Sequence, residues 1–97
     1  MSYRFTAEAS DDLREASSFY EMQRLGLGAE FAVEVGIGIA RILDAPRRWP
    51  EVEPGVRKYR LDRFPYGIFY TLAGSEVRII AVFDLRRRPN GWRDRLP

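Results

Sequence analysis

A chain of 97 residues is long enough for one domain, and its 45% apolar and 13% aromatic residues are typical of a folded globular protein. The absence of cysteine excludes disulfides and thiolate metal sites, and the absence of histidine removes the usual general base and imidazole ligand. We therefore expect residues 1–97 to form one domain in a reducing compartment, without a metal or other cofactor, and ordinary hydrolase chemistry is disfavoured.

The charge of the chain is unevenly distributed. Residues 1–45 carry 4 basic and 8 acidic side chains, net −4, whereas residues 46–97 carry 12 basic and 6 acidic side chains, net +6. Because a concentrated charge attracts partners of opposite sign, the function is expected in the second half. The chain shows no signal-peptide core and no stretch of the roughly 18 apolar residues that a spanning helix needs. This predicts a soluble, cytoplasmic protein.

An N-terminal strand and a first helix open the chain. Residues 3–6 alternate in polarity as a short strand would, and Thr6 or Ser10 then offers a helix N-cap. Apolar residues recur at helical spacing to about Leu25, with acidic residues at the favourable N-terminal end.

A second helix follows two glycines. Apolar residues return at helical spacing from Phe31 until the sequence 44–46, Asp-Ala-Pro, ends the helix. The two helices therefore form an αα-hairpin. Gly36 and Gly38 lie inside the second helix, where each is expected to allow close approach to the first helix or to the sheet.

The second half changes from helical to strand periodicity. Residues 46–55 contain three prolines and a glycine, which predicts an irregular connection that Trp49 pins to the core. Three strands are then predicted in series, over residues 56–61, 66–72 and 76–83. The short links between them favour an antiparallel meander.

These elements predict a two-layer α+β fold. The N-terminal strand is added at an edge of the meander, giving four strands, and the helical hairpin covers one face. The expected core residues are Leu13, Tyr20, Phe31, Val35, Ile39, Ile42, Ile68, Tyr70, Ile79 and Val82.

Several short motifs accompany this order of elements. They are Leu27-Gly28 before Phe31, Pro46 before Trp49-Pro50, Val56-Arg57 before Leu61, Phe64-Pro65-Tyr66 before Tyr70, and Ala81-Val82 before Arg87-Arg88-Pro89 and Trp92. Their order and spacing resemble the RelE/ParE family of toxins from type II toxin–antitoxin systems, over nearly the whole chain. The Phe-Pro-Tyr turn and the terminal Arg-Arg-Pro segment are most similar to ParE-like members.

This resemblance implies a cognate antitoxin, whose flexible tail wraps the toxin in a hetero-oligomer. Free members of the family either inhibit DNA gyrase or cleave messenger RNA on the ribosome, and the family alone does not choose between these activities. A third possibility is an inactive homologue that is kept as a binding module.

The residues expected for a nuclease are poorly represented. The resemblance implies that this chain has Gly67 where the nuclease branch of the family has an arginine. It also implies that Trp92 and Asp84 occupy the positions where that branch has its C-terminal acid–base tyrosine or histidine. Tyr59, Tyr66 and Tyr70 remain possible substitutes, although strand tyrosines are more often packing residues. No catalytic residue is assigned. An endoribonuclease would have to use Arg57, Arg60, Tyr66 and Arg86.

The strongest functional feature is the arginine-rich C-terminus, because guanidinium groups grip carboxylates or phosphates bidentately. The residues expected to bind the target or the antitoxin are Arg86, Arg87, Arg88, Arg93 and Arg95, extended across the strands by Arg57, Lys58, Arg60 and Arg63. Trp92 and Pro89 are expected to fold the terminal segment back over the sheet and to position the arginines. The alternative is a solvated edge whose arginines pair with local acids such as Asp84 and Asp94.

Overall fold

A computed structural model describes residues 1–88 and 90–96, and Pro89 therefore lies outside the described residues. The elements are β1 (Ser2–Phe5), α1 (Ala7–Gln23), α2 (Leu27–Asp44), β2 (Glu51–Glu53), β3 (Val56–Arg60), β4 (Tyr66–Ala73), β5 (Glu76–Asp84) and a terminal 3₁₀ helix (Gly91–Arg95). The α+β fold and the order of its predicted elements are confirmed. Within the described residues, neither α-helix is long and apolar enough to cross a membrane.

The strands form one mixed sheet in the order β1-β5-β4-β3-β2. β3, β4 and β5 make the predicted antiparallel meander, and β1 pairs in parallel with β5 at one edge. The prediction of four strands was wrong, because the sheet has five. The additional strand, β2, lies in the segment that was expected to be irregular, and it pairs with β3. Pro50 and Pro54 flank this short strand at the sheet edge, where a missing backbone donor breaks no ladder, and Gly55 turns the chain with a φ of 81°.

The caps of the helical hairpin follow from local sequence. Thr6 is the N-cap of α1, since its Oγ1 accepts a hydrogen bond from the backbone N–H of Ala9 at 3.2 Å. The side chain of Glu21 then accepts from the N–H groups of Gly26 and Gly28 at 2.9 and 3.0 Å, which satisfies donors at the start of α2. The loop is therefore closed by a residue of the preceding helix.

The two glycines inside α2 have different surroundings. A Cβ added to Gly38 would lie 2.8 Å from the Tyr59 ring and 2.9 Å from Cδ1 of Ile68, so Gly38 allows α2 to approach the sheet as predicted. A Cβ added to Gly36 would meet nothing within 4 Å. The packing role expected for Gly36 was wrong.

The helices cover one face of the sheet, and the main core lies between them. Nine of the ten expected core residues are buried there, and Leu13 is partly buried against them. Trp49 joins this core through an edge-to-face contact with Tyr59, with ring centroids 4.8 Å apart. A smaller apolar cluster lies on the opposite face, under the terminal 3₁₀ helix, and comprises Val56, Phe69, Ile80, Ala81 and Trp92.

Candidate binding site

The terminal 3₁₀ helix is anchored to the face of the sheet that the α-helices leave uncovered. Trp92 is 3% exposed and stacks on Phe69 of β4, with ring centroids 4.7 Å apart and planes inclined by 27°. Gly91 passes so close to Phe83 that an added Cβ would lie 2.8 Å from the ring. These contacts hold the terminal segment against this face of the sheet, and they leave the Trp92 indole unavailable for stacking on a base.

A pair of partly buried ionic side chains fixes the end of the same segment. Arg95 donates to both carboxylate oxygens of Asp12 on α1, the Nη2–Oδ1 distance being 2.9 Å, and also to the carbonyl of Ile80 at 3.0 Å. Asp12 Oδ2 accepts a third hydrogen bond, from the N–H of Val82 at 3.0 Å. The side chains of Arg95 and Asp12 are only 21% and 14% exposed. Arg95 is therefore committed to internal contacts and is not offered to a partner.

The geometry of β5 explains why backbone groups need these partners. Phe69 faces Ala81 and Tyr70 faces Ile79, which leaves Ile80 as the extra residue of a β-bulge. On the other side of β5, pairing with β1 ends at Ile79, and buried backbone groups beyond that point need other hydrogen-bond partners. Asp12 and Arg95 supply these bonds, linking α1, β5 and the C-terminal segment.

Asp84 organises the turn that follows β5. Its carboxylate accepts from the backbone N–H of Arg86 at 2.9 Å and from Nε and Nη2 of the same guanidinium, each at 3.1 Å. Nε of Arg87 lies 3.9 Å away. Burial raises the pKa of Asp84, but the hydrogen bonds from Arg86 and the charges of both arginines outweigh it and hold the pKa below its usual value. Asp84 is therefore an anion that holds the turn in shape.

Two grooves meet at this turn, and both are lined by Arg87 and Arg88. The first, which we call the helix groove, has a volume of 780 Å³ and lies between α1 and the end of β5. Its walls include Arg86, Glu15 and Phe19, and Phe19 is 49% exposed. The helix groove thus combines an apolar wall with charges of both signs.

The second groove, which we call the sheet groove, has a volume of 310 Å³ and lies on the face opposite the α-helices. Lys58 and Arg60 line one side and Arg87 and Arg88 the other. Its remaining lining is Val52, Phe69, Phe83, Asp84, Leu85, Asn90 and Trp92. Lys58 and Arg60 reach this face because they alternate along β3 with Tyr59, which points into the helix-side core.

Pairing with carboxylates separates the basic side chains into two groups. Among the described residues, nine arginines lie within 4.0 Å of a carboxylate, including Arg63 with Glu30 at 2.8 Å and Arg93 with Glu53 at 2.7 Å. Lys58, Arg60 and Arg88 have no such partner among residues 1–88 and 90–96. Of the predicted site residues without a carboxylate partner in the described part of the chain, Lys58, Arg60 and Arg88 line the sheet groove, and Arg57 does not.

Arg57 and Arg63 lie away from the two grooves. Arg57 donates to the carbonyls of Arg47 and Trp49 at 3.0 and 2.7 Å, which holds the connection before β2 against the sheet. Arg63 reaches Glu30 on α2 and lies over the ring of Phe64, with 5.2 Å from Cζ to the ring centroid. Neither residue lines the grooves at Arg86–Arg88.

The four residues proposed for an endoribonuclease do not assemble into one site: Tyr66 and Arg86 both line the helix groove, whereas Arg57 and Arg60 lie outside it. Arg57 and Arg60 point to opposite faces of β3, so they cannot act on one phosphate. Burial, followed by the charge of Asp84, raises the pKa of Tyr66 to about 12, and burial raises that of Tyr70 to about 12. The Tyr70 hydroxyl also donates to the carbonyl of Pro46 at 2.7 Å. Both phenols stay protonated at neutral pH, which is unsuited to general-base catalysis.

Sequence reasoning missed two residues of the site. From the sequence, Asp12 was only one of the acidic residues near the start of α1. Its contact with Arg95 joins residues 83 positions apart, so no local pattern indicates it. Phe19 lies one position before Tyr20 and is not part of the buried stripe of α1, so its side chain forms part of the wall of the helix groove. A half-exposed phenylalanine off the buried helix face was the available signal for this second residue.

Comparison with known proteins identifies the family of the chain and supports its fold. Residues 3–89 match the model of the family described as the ParE toxin of the type II toxin-antitoxin system, parDE. A structure of the chromosomal ParDE TA system from P. aeruginosa has a TM-score of 0.62 and 25% sequence identity, over 88% of this chain and 96% of that chain. No curated protein matches the sequence. The resemblance to ParE-like toxins is confirmed.

Proposed function

The chain belongs to the ParE toxin family of type II toxin–antitoxin systems, and we propose that it inhibits DNA gyrase, or a similar target, by binding. The observation that carries this proposal is the turn at Arg86–Arg88, which presents guanidinium groups at the rim of both grooves. The side chains of Arg86 and Arg87 are 60% and 77% exposed. Trp92 and Asp84 hold the turn in place, so little conformational entropy is lost when a partner binds it.

The contacts to the target are assigned to Arg86, Arg87, Arg88 and Arg93. Arg87 and Arg88 are the most available, whereas Arg86 and Arg93 would exchange Asp84 and Glu53 for groups of the partner. A binding mechanism is favoured over catalysis because the buried tyrosines keep their protons and the nuclease set is divided between two faces. A cognate antitoxin would neutralise the toxin by covering the same region with acidic residues.

The test is DNA supercoiling by purified gyrase with the toxin in excess. We expect the unmodified protein to inhibit supercoiling and the double variant Arg87→Ser/Arg88→Ser to require at least about tenfold more protein, because these exposed charges contribute most of the complementarity. Arg47→Ser/Arg48→Ser is the matched control, since it removes the same charge from exposed positions outside both grooves.

The outcomes separate the possible activities. Unchanged supercoiling with the unmodified toxin in excess would contradict gyrase as the target. Equal loss of potency in both double variants would show that net charge, and not the turn, carries the inhibition. Normal growth on overexpression without the antitoxin, combined with unchanged supercoiling, would identify an inactive homologue kept as a binding module.

A further inference from the structure

The two α-helices differ in the surface that they turn away from the core. The exposed positions of α1 include Glu8, Asp11, Arg14 and Glu15, as is usual for a helix face in contact with solvent. Between residues 29 and 40 of α2, by contrast, every exposed residue is apolar or glycine. These residues form a surface that we call the outer face of α2, namely Ala29, Ala32, Val33, Gly36, Ile37 and Ala40.

The spacing of these residues makes the outer face of α2 continuous. They recur at intervals of one, three or four positions, so they lie together along one side of the helix. Val33 and Ile37 supply its large side chains and are 61% and 41% exposed. A contiguous apolar patch of this kind, bordered by polar residues, is typical of an interaction surface.

Gly36 lies in the middle of the outer face. A glycine inside a helix destabilises it relative to alanine, and a Cβ added to Gly36 would meet nothing within 4 Å. The fold of a single chain therefore gives no reason for this glycine. Small residues at a helix contact let the axes of two helices approach closely, and Ala29, Ala32 and Ala40 are also small. The outer face is therefore suited to a second helix that crosses at Gly36.

The charges beside the outer face indicate which helix fits. Glu30, Glu34 and Arg41 lie along one margin of it, since they are spaced by four and seven positions. Glu34 has no cationic partner within 4.0 Å among residues 1–88 and 90–96. Arg41 is 51% exposed and bonds to Tyr59 and Asp62 through Nη1 alone in the described residues, so its other N–H groups are available.

A second copy of α2 matches this pattern when it runs antiparallel. Arg41 lies five positions after Gly36, whereas Glu30 and Glu34 lie six and two positions before it. Antiparallel helices that cross at Gly36 therefore place Arg41 of each copy beside the two glutamates of the other copy. A parallel pair would place like charges together. The antiparallel pair also brings the positive N-terminal end of each helix close to the negative C-terminal end of the other.

We propose that the outer face of α2 is a homodimer interface, in which two copies of the chain pair about a two-fold axis that passes close to Gly36. An interface of one helix from each copy is small, so the dissociation constant is expected on the order of 10 μM. No residue of α2 lines the helix groove or the sheet groove. Each copy in the dimer therefore keeps both grooves, and the proposal does not depend on the function proposed above.

Sedimentation equilibrium of the complete chain tests the dimer. Over protein concentrations from about 1 μM to about 500 μM, we expect the apparent mass to rise from one chain toward two. Gly36→Gln should weaken self-association at least about tenfold, because its longer side chain holds the two helices apart. The same variant should raise the free energy of unfolding of the monomer, since glutamine is the better helix former and the position is open. Loss of folding therefore cannot explain the weaker association.

Met22→Gln is the matched control for Gly36→Gln. It places the same uncharged side chain on α1, at a residue that is 88% exposed and outside the outer face of α2. We expect it to leave the dissociation constant unchanged within about twofold.

Two charge variants test the antiparallel arrangement. Glu34→Arg and Arg41→Glu should each associate more weakly than the unmodified chain, because each places like charges opposite one another. An equimolar mixture of the two should associate at least about threefold more tightly than either variant alone, because the new arginine of one copy then faces the new glutamate of the other. High salt should reduce this difference.

Each contrary result overturns the proposal. A chain that keeps the mass of one copy at about 500 μM does not form the dimer, and binding of that monomer to phosphatidylcholine vesicles would assign the outer face to a lipid surface instead. Equal association of Gly36→Gln and the unmodified chain would place the contact on another surface. A mixture of the charge variants that associates no more tightly than its components would exclude the antiparallel pair. Because no gyrase is present, these results are independent of the supercoiling test.

Discussion

Replacement of Asp12 by alanine should destabilise the protein far more than a typical surface substitution. The change removes the acceptor of the Val82 N–H and the bidentate partner of Arg95, both inside the protein. A hydrogen bond to a charged group contributes about 1.5 to 3 kcal/mol, and the pair with Arg95 adds a similar amount because both side chains are largely buried. We expect the free energy of unfolding to fall by about 3 kcal/mol, out of roughly 5 to 15 kcal/mol for a domain of this kind.

Urea denaturation and thermal melting measure this loss, which corresponds to a decrease in Tm of about 12 to 24 °C for a chain of this size. Asp11→Ala is the matched control, because it makes the same substitution one residue earlier in α1, where the carboxylate is 60% exposed and forms a surface ion pair with Arg14. Arg95→Met should cost less than Asp12→Ala, and a double-mutant cycle should give a coupling of about 1 to 2 kcal/mol. A loss within about 0.5 kcal/mol of the Asp11→Ala control would refute the reasoning.

Three further predictions address the core and the terminal segment. Gly36→Ala should raise the free energy of unfolding by about 1 kcal/mol because its added methyl meets open space. Gly38→Ala should lower the free energy of unfolding because its methyl would collide with the sheet. Urea titrations in which both variants change the free energy of unfolding in the same direction would contradict this. Trp92→Ala should cost about 3 kcal/mol and speed trypsin cleavage after the terminal arginines, and an unchanged cleavage rate would argue against anchoring by Trp92. The pKa of Tyr66 is about 12 in the folded protein and near 10 in the unfolded chain, so its contribution to stability is complete below pH 10 and is lost as the pH rises from about 10 to about 12. Tyr66→Phe should therefore reduce the fall in unfolding free energy over this pH range. If the free energy of unfolding falls equally steeply in the variant, the Tyr66 phenol is not the source of the decline.

Periodicity predicted most of the fold because it reports which side of each element is buried. The helix-side core came from residues spaced three or four apart in α1 and α2 and two apart in β4, a pattern that depends on local geometry alone. β2 was missed because its three residues lie between Pro50 and Pro54, and prolines normally argue against a strand. At the edge of a sheet their missing N–H groups break no hydrogen bond, but a local sequence pattern does not show which strand lies at an edge. Gly36 was misassigned for a related reason: a helical glycine looks the same in sequence whether or not another element packs against it.

The candidate site was predictable in composition but not in arrangement. Arg86, Arg93 and Arg95 look alike in the sequence, yet they bind Asp84, Glu53 and Asp12 respectively. Two of these acids are distant in the chain, so only the folded structure distinguishes an arginine that holds the terminal segment from one that is offered to a partner.

The fold places the acidic first half of the chain and the basic second half on different sides of the sheet, and this explains where the unpaired cations lie. Most acidic residues belong to α1 and α2, which pack on one face, whereas Lys58 and Arg60 project from the other. A β-sheet with its packed layer separates the two sets by about 10 Å, a distance at which the attraction between charges is largely screened at physiological salt. Asp12 spans this division because α1 packs beside β5, where Arg95 of the terminal segment meets its carboxylate. Lys58 and Arg60 lie farther into the sheet, on β3, where the helical acids do not reach, so among the described residues neither has a carboxylate within 4.0 Å.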